Sequence, residues 1–180
     1  MYRGKWKVRP SASMIVAVIA LMAAIGGVAA AAPGGPVAPA GRDIVASSSS
    51  NTNLSPRGGA MTAILEMKLP ASTRQTHYVL AAQGDLVNFG ASDYTRCNLV
   101  VNGTQVAAVS TIVGNPAANG AQGPAAFLSP FSLTGGVNVP ASGATAVLRC
   151  WHDNTNGATP YVDVGASVWA HQTASLKIES

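Results

Sequence analysis

The sequence predicts an all-β fold, an antiparallel β-sandwich or jelly roll of about seven or eight strands, preceded by a signal peptide and a disordered tether. Three observations predict it. Charged residues make up only 10% of the 180-residue chain and apolar ones 48%, against roughly 25% charged in an ordinary soluble domain, which excludes coiled coils and charge-rich disordered chains. Nineteen glycines and eleven prolines cut the chain into short segments joined by turns. From Met61 onward the apolar residues recur with a period of two, and no convincing 3.6-residue helical period accompanies it, as expected of half-buried strands. The length suits one domain with one core.

The first segment is not part of that domain. Arg3, Lys5, Lys7 and Arg9 precede an uncharged stretch from Met14 to Ala32 that ends in small residues, the layout of a secretory signal. Ala29-Ala30-Ala31 supplies an A-x-A site, so residues 1–31 are expected to be the signal peptide, cut after Ala31. An uncleaved anchor is the competing reading, but eight alanines dilute the stretch to the apolar core of a signal. Removing this segment takes four of eleven basic residues and leaves seven of each sign. The net charge of +4 therefore belongs to the signal, and with it goes any case for nucleic acid or a membrane as partner of the mature chain. The expected location is extracellular or on the cell wall.

Residues 32–60 are rich in Pro, Gly, Ala and Ser, including APGGPVAPAG and Ser47 to Ser50, and read as a flexible tether that buries too little apolar surface to order itself. It lacks the Gly-X-Y period of a collagen stalk. The sandwich domain is placed at 61–180. Its first strand alternates Met61, Ala63, Leu65, Met67 and Leu69 against Thr62, Ile64, Glu66 and Lys68, which sends the first set inward. Further strands are expected at 76–87, 94–101, 104–113, 126–134, 144–152 and 160–172. Asn102-Gly103 between NLVV and TQVAAV is a two-residue hairpin signal, because both turn residues need positive φ. Asn156-Gly157 is a second. Residues 114–126 form a loop of Ala, Gly, Asn and Pro with little chemistry.

Two cysteines, Cys97 and Cys150, in an exported chain imply a disulfide. The spacing invites comparison with immunoglobulin domains, but no Trp follows Cys97 at the right distance and Leu148 stands where the tyrosine corner would be.

Several segments resemble a group of small exported proteins of high-GC Gram-positive bacteria with no assigned activity. They are Leu69-Pro70-Ala71, YVLAAQGDLVNFG, TRCNLVVNG, ATAVLRC and VDVGASVWAHQTASL, spread over residues 61–176. The resemblance implies a secreted, disulfide-linked β-sandwich and assigns no functional residues. Trp151, Tyr161 and Trp169 are where this chain departs from the pattern.

No nucleophile elbow, HExxH, CxxC, Walker or dinucleotide-binding motif is present, and no cofactor or metal is expected. A hydrolase would have to be assembled from His77, His152, His171, Asp85, Asp93, Asp153 and Asp163, an inventory almost any β protein offers, so a non-enzymatic protein is expected. Asp153 to Gly157 fails as a calcium loop, with Thr at its third position, Gly at its fifth and no closing Glu. Asn53-Leu54-Ser55 and Asn102-Gly103-Thr104 match the glycosylation sequon, and the turn accounts better for the second.

The last two strands carry the one sharp expectation. In PYVDVGASVWAHQ the residues Val162, Val164, Ala166, Val168 and Ala170 should face the core, and Tyr161, Asp163, Ser167, Trp169 and His171 should face out. In ATAVLRCWH the same reasoning sends Ala146, Leu148 and Cys150 in, and Arg149 and Trp151 out. Were the two strands a hairpin, a two-residue Asn156-Gly157 turn would break this parity, so a longer loop or bulge is expected, with Trp151 opposite Tyr161 and Arg149 opposite Asp163. The candidate face is thus Trp151, Tyr161 and Trp169 with Arg149, Asp163 and His171. Its chemistry suits self-association or an extracellular glycan.

Overall fold

In a computed structural model the described residues are 42–153 and 157–176. The chain divides into two units, 1–39 and 40–180, and all described residues lie in the second. The expected signal peptide and its cleavage site, residues 32–41 of the tether, and Asn156 of the second Asn-Gly pair lie outside the described residues.

The strands are β1 (Asp43–Ser47), β2 (Thr52–Asn53), β3 (Ser55–Pro56), β4 (Thr62–Leu69), β5 (Thr76–Val87), β6 (Asp93–Val101), β7 (Thr104–Val113), β8 (Leu128–Val139), β9 (Ala144–His152), β10 (Tyr161–Val162) and β11 (Ser167–Thr173). They form two sheets. In sheet A, β11 lies between β1 and β5, β8 flanks the other side of β5, and β10 and β2 continue the lines of β11 and β1. In sheet B the order is β4, β9, β6, β7, with β3 sharing one side of β9 with β4. The main pairs are nested: β6 with β7, β5 with β8, β4 with β9, β1 with β11. A long hairpin with its tip at the β6–β7 turn, rolled into two layers, is a jelly roll. That tip is Asn102-Gly103, with φ of 47° and 85°, as its turn type requires.

The core lies between the sheets. Leu80, Leu86, Leu99, Leu148, Val113, Val139, Val162 and Val168 are all but fully buried. Cys97 and Cys150 face each other directly across β6 and β9 and are joined in a disulfide, so the bond ties two central strands of sheet B inside the core.

Three expectations need correction. The ordered domain begins before residue 61: β1 pairs with β11 from Asp43 to Ser47, and β2 and β3 join sheets A and B. Ile44 and Ala46 pack against the core, and that burial orders a segment whose Ser-rich composition suggested a tether. In β4, a register shift between Ala63 and Leu65 moves the inward face onto Ile64. Met61 and Ala63 are exposed as a result, while Met67 and Leu69 remain inside. Finally, β9 and the β10–β11 segment do not form a hairpin. They belong to different sheets, and the connection between them crosses from one layer to the other.

The loop after β7 is more organised than its composition suggests. Gly114 and Ala126 exchange backbone hydrogen bonds, and Asn115 caps a 3-10 turn at Pro116–Asn119. Gly114 has φ of +123°, and a Cβ there would lie 2.7 Å from Ala91 O, Asn88 Nδ2 and Ser92 Cα. Gly114→Ala is therefore expected to cost about 1–3 kcal/mol, read as a lower urea midpoint with an unchanged slope.

Candidate functional site

The outward residues of the last strands are placed as their parity predicts, but on two different surfaces. Arg149 and Trp151 lie on the outer face of sheet B, opposite Asn98 and Arg96 of β6. There Arg96 pairs with Asp153 and stands 5.6 Å over the Tyr94 ring. Trp169 and His171 lie on the outer face of sheet A, between β1 and β5. Tyr161 is on sheet A too, but opposite Val87 where Trp169 is opposite Ala81, a separation of six residues or roughly 20 Å along β5. Val164 faces outward, 55% exposed, where the core was expected.

Its displacement has a definite cause. Between Val162 and Ser167 the chain has four residues, where β5 has only Gly84 and Asp85. The extra residues bulge, with Gly165 at φ +89°. The Asp163 N–H donates to Asp85 O at 2.9 Å, and the Val164 N–H to Asn51 Oδ1. Beside this bulge the outer face sinks into an open depression of about 500 Å³ lined by Gln83, Gly84, Asp85, Pro130, Ser132 and Gly165.

Two positions along β5 from the depression, on the same face, Trp169 is 36% exposed and its β1 neighbour Val45 65%. The Trp169 and His171 rings are nearly parallel, 5.6 Å between centroids, and His171 Nδ1 sits 2.6 Å from Asp43 Oδ1. The carboxylate thus fixes the imidazole beside the indole. Around them the outward positions are small or neutral: Val79 and Ala81 on β5, Thr134 and Gly136 on β8. Strands β1, β5, β8, β10 and β11 contain no lysine or arginine.

The histidines divide by depth. His152 Nδ1 lies 2.7 Å from Asp93 Oδ2, but both residues are buried to 3% exposure or less, so no substrate can reach the pair. His77 bonds Asn138 Oδ1. Neither His77 nor His171 receives a Ser or Thr hydroxyl among the described residues, and these contain no group of three or more His, Cys, Asp or Glu able to hold a metal. None of their helices is long and apolar enough to cross a membrane.

Two features escaped the sequence reading. The depression depends on pairing between β5 and β8, segments far apart in the chain, and nothing local marks Gln83 or Ser132. At the end of the sandwich where β5 and β7 finish, Phe89 is 73% exposed and lies 5.9 Å from Phe127, each on a loop that reads as apolar only in isolation.

No protein-family model matches the chain, and no curated protein does. Among solved structures it is similar to the EclA C-terminal domain, described as a sugar-binding protein, at 14% identity over 76% of this chain and 87% of that one, with a TM-score of 0.39. It is similar to the Gx strain structure of infectious bursal disease virus at 10% identity over 82% of this chain and 39% of that one, with a TM-score of 0.45. Similarity to Eiger TNF from S. frugiperda is 9% over 77% of this chain and 97% of that one, with a TM-score of 0.40.

Proposed function

We propose that the chain is exported by its N-terminal signal and works outside the cell as a non-enzymatic binding module that takes neutral saccharide on the outer face of sheet A. One arrangement carries the reading: exposed Trp169 with His171 alongside, the latter held by Asp43. An indole offers an apolar surface for the C–H face of a sugar ring, and neighbouring polar groups take its hydroxyls. The lack of lysine and arginine in the strands of this face, together with Asp43 and Asp85 on it, favours neutral over anionic polymers. A buried disulfide suits an oxidising compartment, in keeping with the exported bacterial proteins this chain resembles. The reading as a non-enzyme rests on the burial of His152 and Asp93 and on the pairing of His77 with Asn138 and His171 with Asp43, neither ring bonded to a Ser or Thr hydroxyl among the described residues.

The test is capture of the mature chain, residues 32–180, by insoluble cellulose and chitin, with light scattering in parallel. Trp169→Ala is expected to reduce the bound fraction at least tenfold while the protein stays folded by its melting transition, and Trp169→Tyr to restore most of it. Capture unaffected by either change would overturn the reading. Exposed Val45 beside Trp169, on a chain with no net charge after signal removal, favours self-association as the second reading. An oligomer that Trp169→Ala converts to a monomer, with no polysaccharide bound, would assign the face to that role.

A further inference from the structure

The depression beside the β10–β11 bulge shares the outer face of sheet A with Trp169, and its polar groups have no structural task. Among the described residues no hydrogen bond engages the Gln83 amide, the Asp85 carboxylate or the Ser132 hydroxyl, whereas His77, Asn88, Asn98, Asn119 and His171 on the same domain all have side-chain partners. The three groups are brought together by pairing, since Gln83 is opposite Ser132 and Asp85 opposite Pro130. The bulge forms the wall, with Gly165 at its rim. Along β5 the order is then Trp169 beside Ala81, the depression at residues 83–85, and Tyr161 beside Val87.

We infer that the Gln83–Asp85–Ser132 depression is a second subsite of the same ligand, and that the ligand is an extended neutral oligosaccharide lying along β5 from Trp169 across the depression to Tyr161. The inference rests on the saccharide reading of Trp169. Two aromatic residues at register positions roughly 20 Å apart along β5, with unpaired amide, carboxylate and hydroxyl groups between them, match a chain of sugar rings whose ends stack and whose middle presents hydroxyls. A carboxylate that accepts hydrogen bonds from paired hydroxyls is a common need of neutral sugar recognition and repels polyanions. A disaccharide is too short to reach from one aromatic to the other, so chain length is the discriminating variable.

The experiment is calorimetric titration of the mature protein with cello- and chito-oligosaccharides from disaccharide to hexasaccharide. Affinity is expected to rise at least tenfold from the disaccharide to the hexasaccharide. Asp85→Asn, Gln83→Ala and Tyr161→Ala should each remove most of that gain while leaving disaccharide affinity within twofold, whereas Trp169→Ala should weaken every length. Asp85→Asn is isosteric and Gln83 is exposed, so both should fold, and Tyr161→Phe serves as the packing control. Trp169-dependent binding that does not strengthen with length, or that ignores the three depression variants, would overturn this inference and leave the saccharide reading standing. No binding of any length by the wild-type protein would overturn both.

Discussion

Replacing both cysteines by alanine, or fully reducing the protein, is expected to lower its stability by about 4 kcal/mol, the chain-entropy value for a closed loop of this size. For a domain of this length that is a fall in melting temperature of roughly 10–20 °C. Cys97 and Cys150 are 53 residues apart in the chain, and the loop they close contains β7, β8 and most of β6 and β9, which contribute to both sheets. The unfolded chain therefore loses much of its freedom when the bond is made. In the folded state both residues are fully buried and directly paired, so dithiothreitol should act on the native protein slowly and on the partly denatured protein quickly. Thermal melts of Cys97→Ala/Cys150→Ala beside the oxidised wild type check this. A shift under about 3 °C would mean that the rolled hairpin is already closed tightly by its strand pairs.

Asp93→Ala is the second large effect. The carboxylate and the His152 imidazole meet at 2.7 Å within the end of the core, where Thr95, Asn88 and Val113 are also buried. Removing one member of a buried polar pair leaves the other without that partner in a medium that solvates it poorly, at a cost of about 1–3 kcal/mol. Asp93→Asn keeps an acceptor oxygen in place and should lose less. Urea unfolding of the two variants distinguishes a hydrogen-bonding role from simple packing: if Asp93→Ala and Asp93→Asn unfold at the same midpoint as the wild type, the pair contributes nothing to stability. Saccharide capture should be unchanged in whichever variant folds, because the pair lies inside the sandwich and Trp169 outside it.

The candidate site was legible only in part. Trp169 and His171 could be placed on a common outward face because they are two residues apart on one strand, and successive side chains of a strand alternate between faces. Their Asp43 partner was hidden in a segment whose composition spoke for a tether, although Ile44 and Ala46 already carry the inward alternation. Alternation sends Trp151 and Arg149 outward, as the structure has them, but on sheet B and not beside Trp169. Alternation distinguishes inside from outside and is the same whether two strands are neighbours in one sheet or face each other across the core. Val164 departs from the alternation for a different reason. The four-residue bulge at 163–166 is imposed by how β10 and β11 both dock on β5, and a period-two pattern has no means of announcing an interruption set by a distant strand.

Local features follow from the amino-acid order alone: the strands β5, β7 and β9 at the expected bounds, the positive-φ turn at Asn102-Gly103, the inward set Ala146, Leu148, Cys150, Val162, Val168 and Ala170, and a cysteine pair ready to close. Each depends on residues within a few positions of one another or, for the cysteines, on there being only two. The tertiary structure alone decided the nesting of the strand pairs, the separation of Trp151 from Trp169 onto opposite faces, the recruitment of residues 43–56 into both sheets, and the depression between β5 and β8. These are pairings across the chain, chosen by which arrangement buries every apolar face at once while leaving no inner backbone group unpaired. That choice is made by the whole domain, and no window of the sequence contains it.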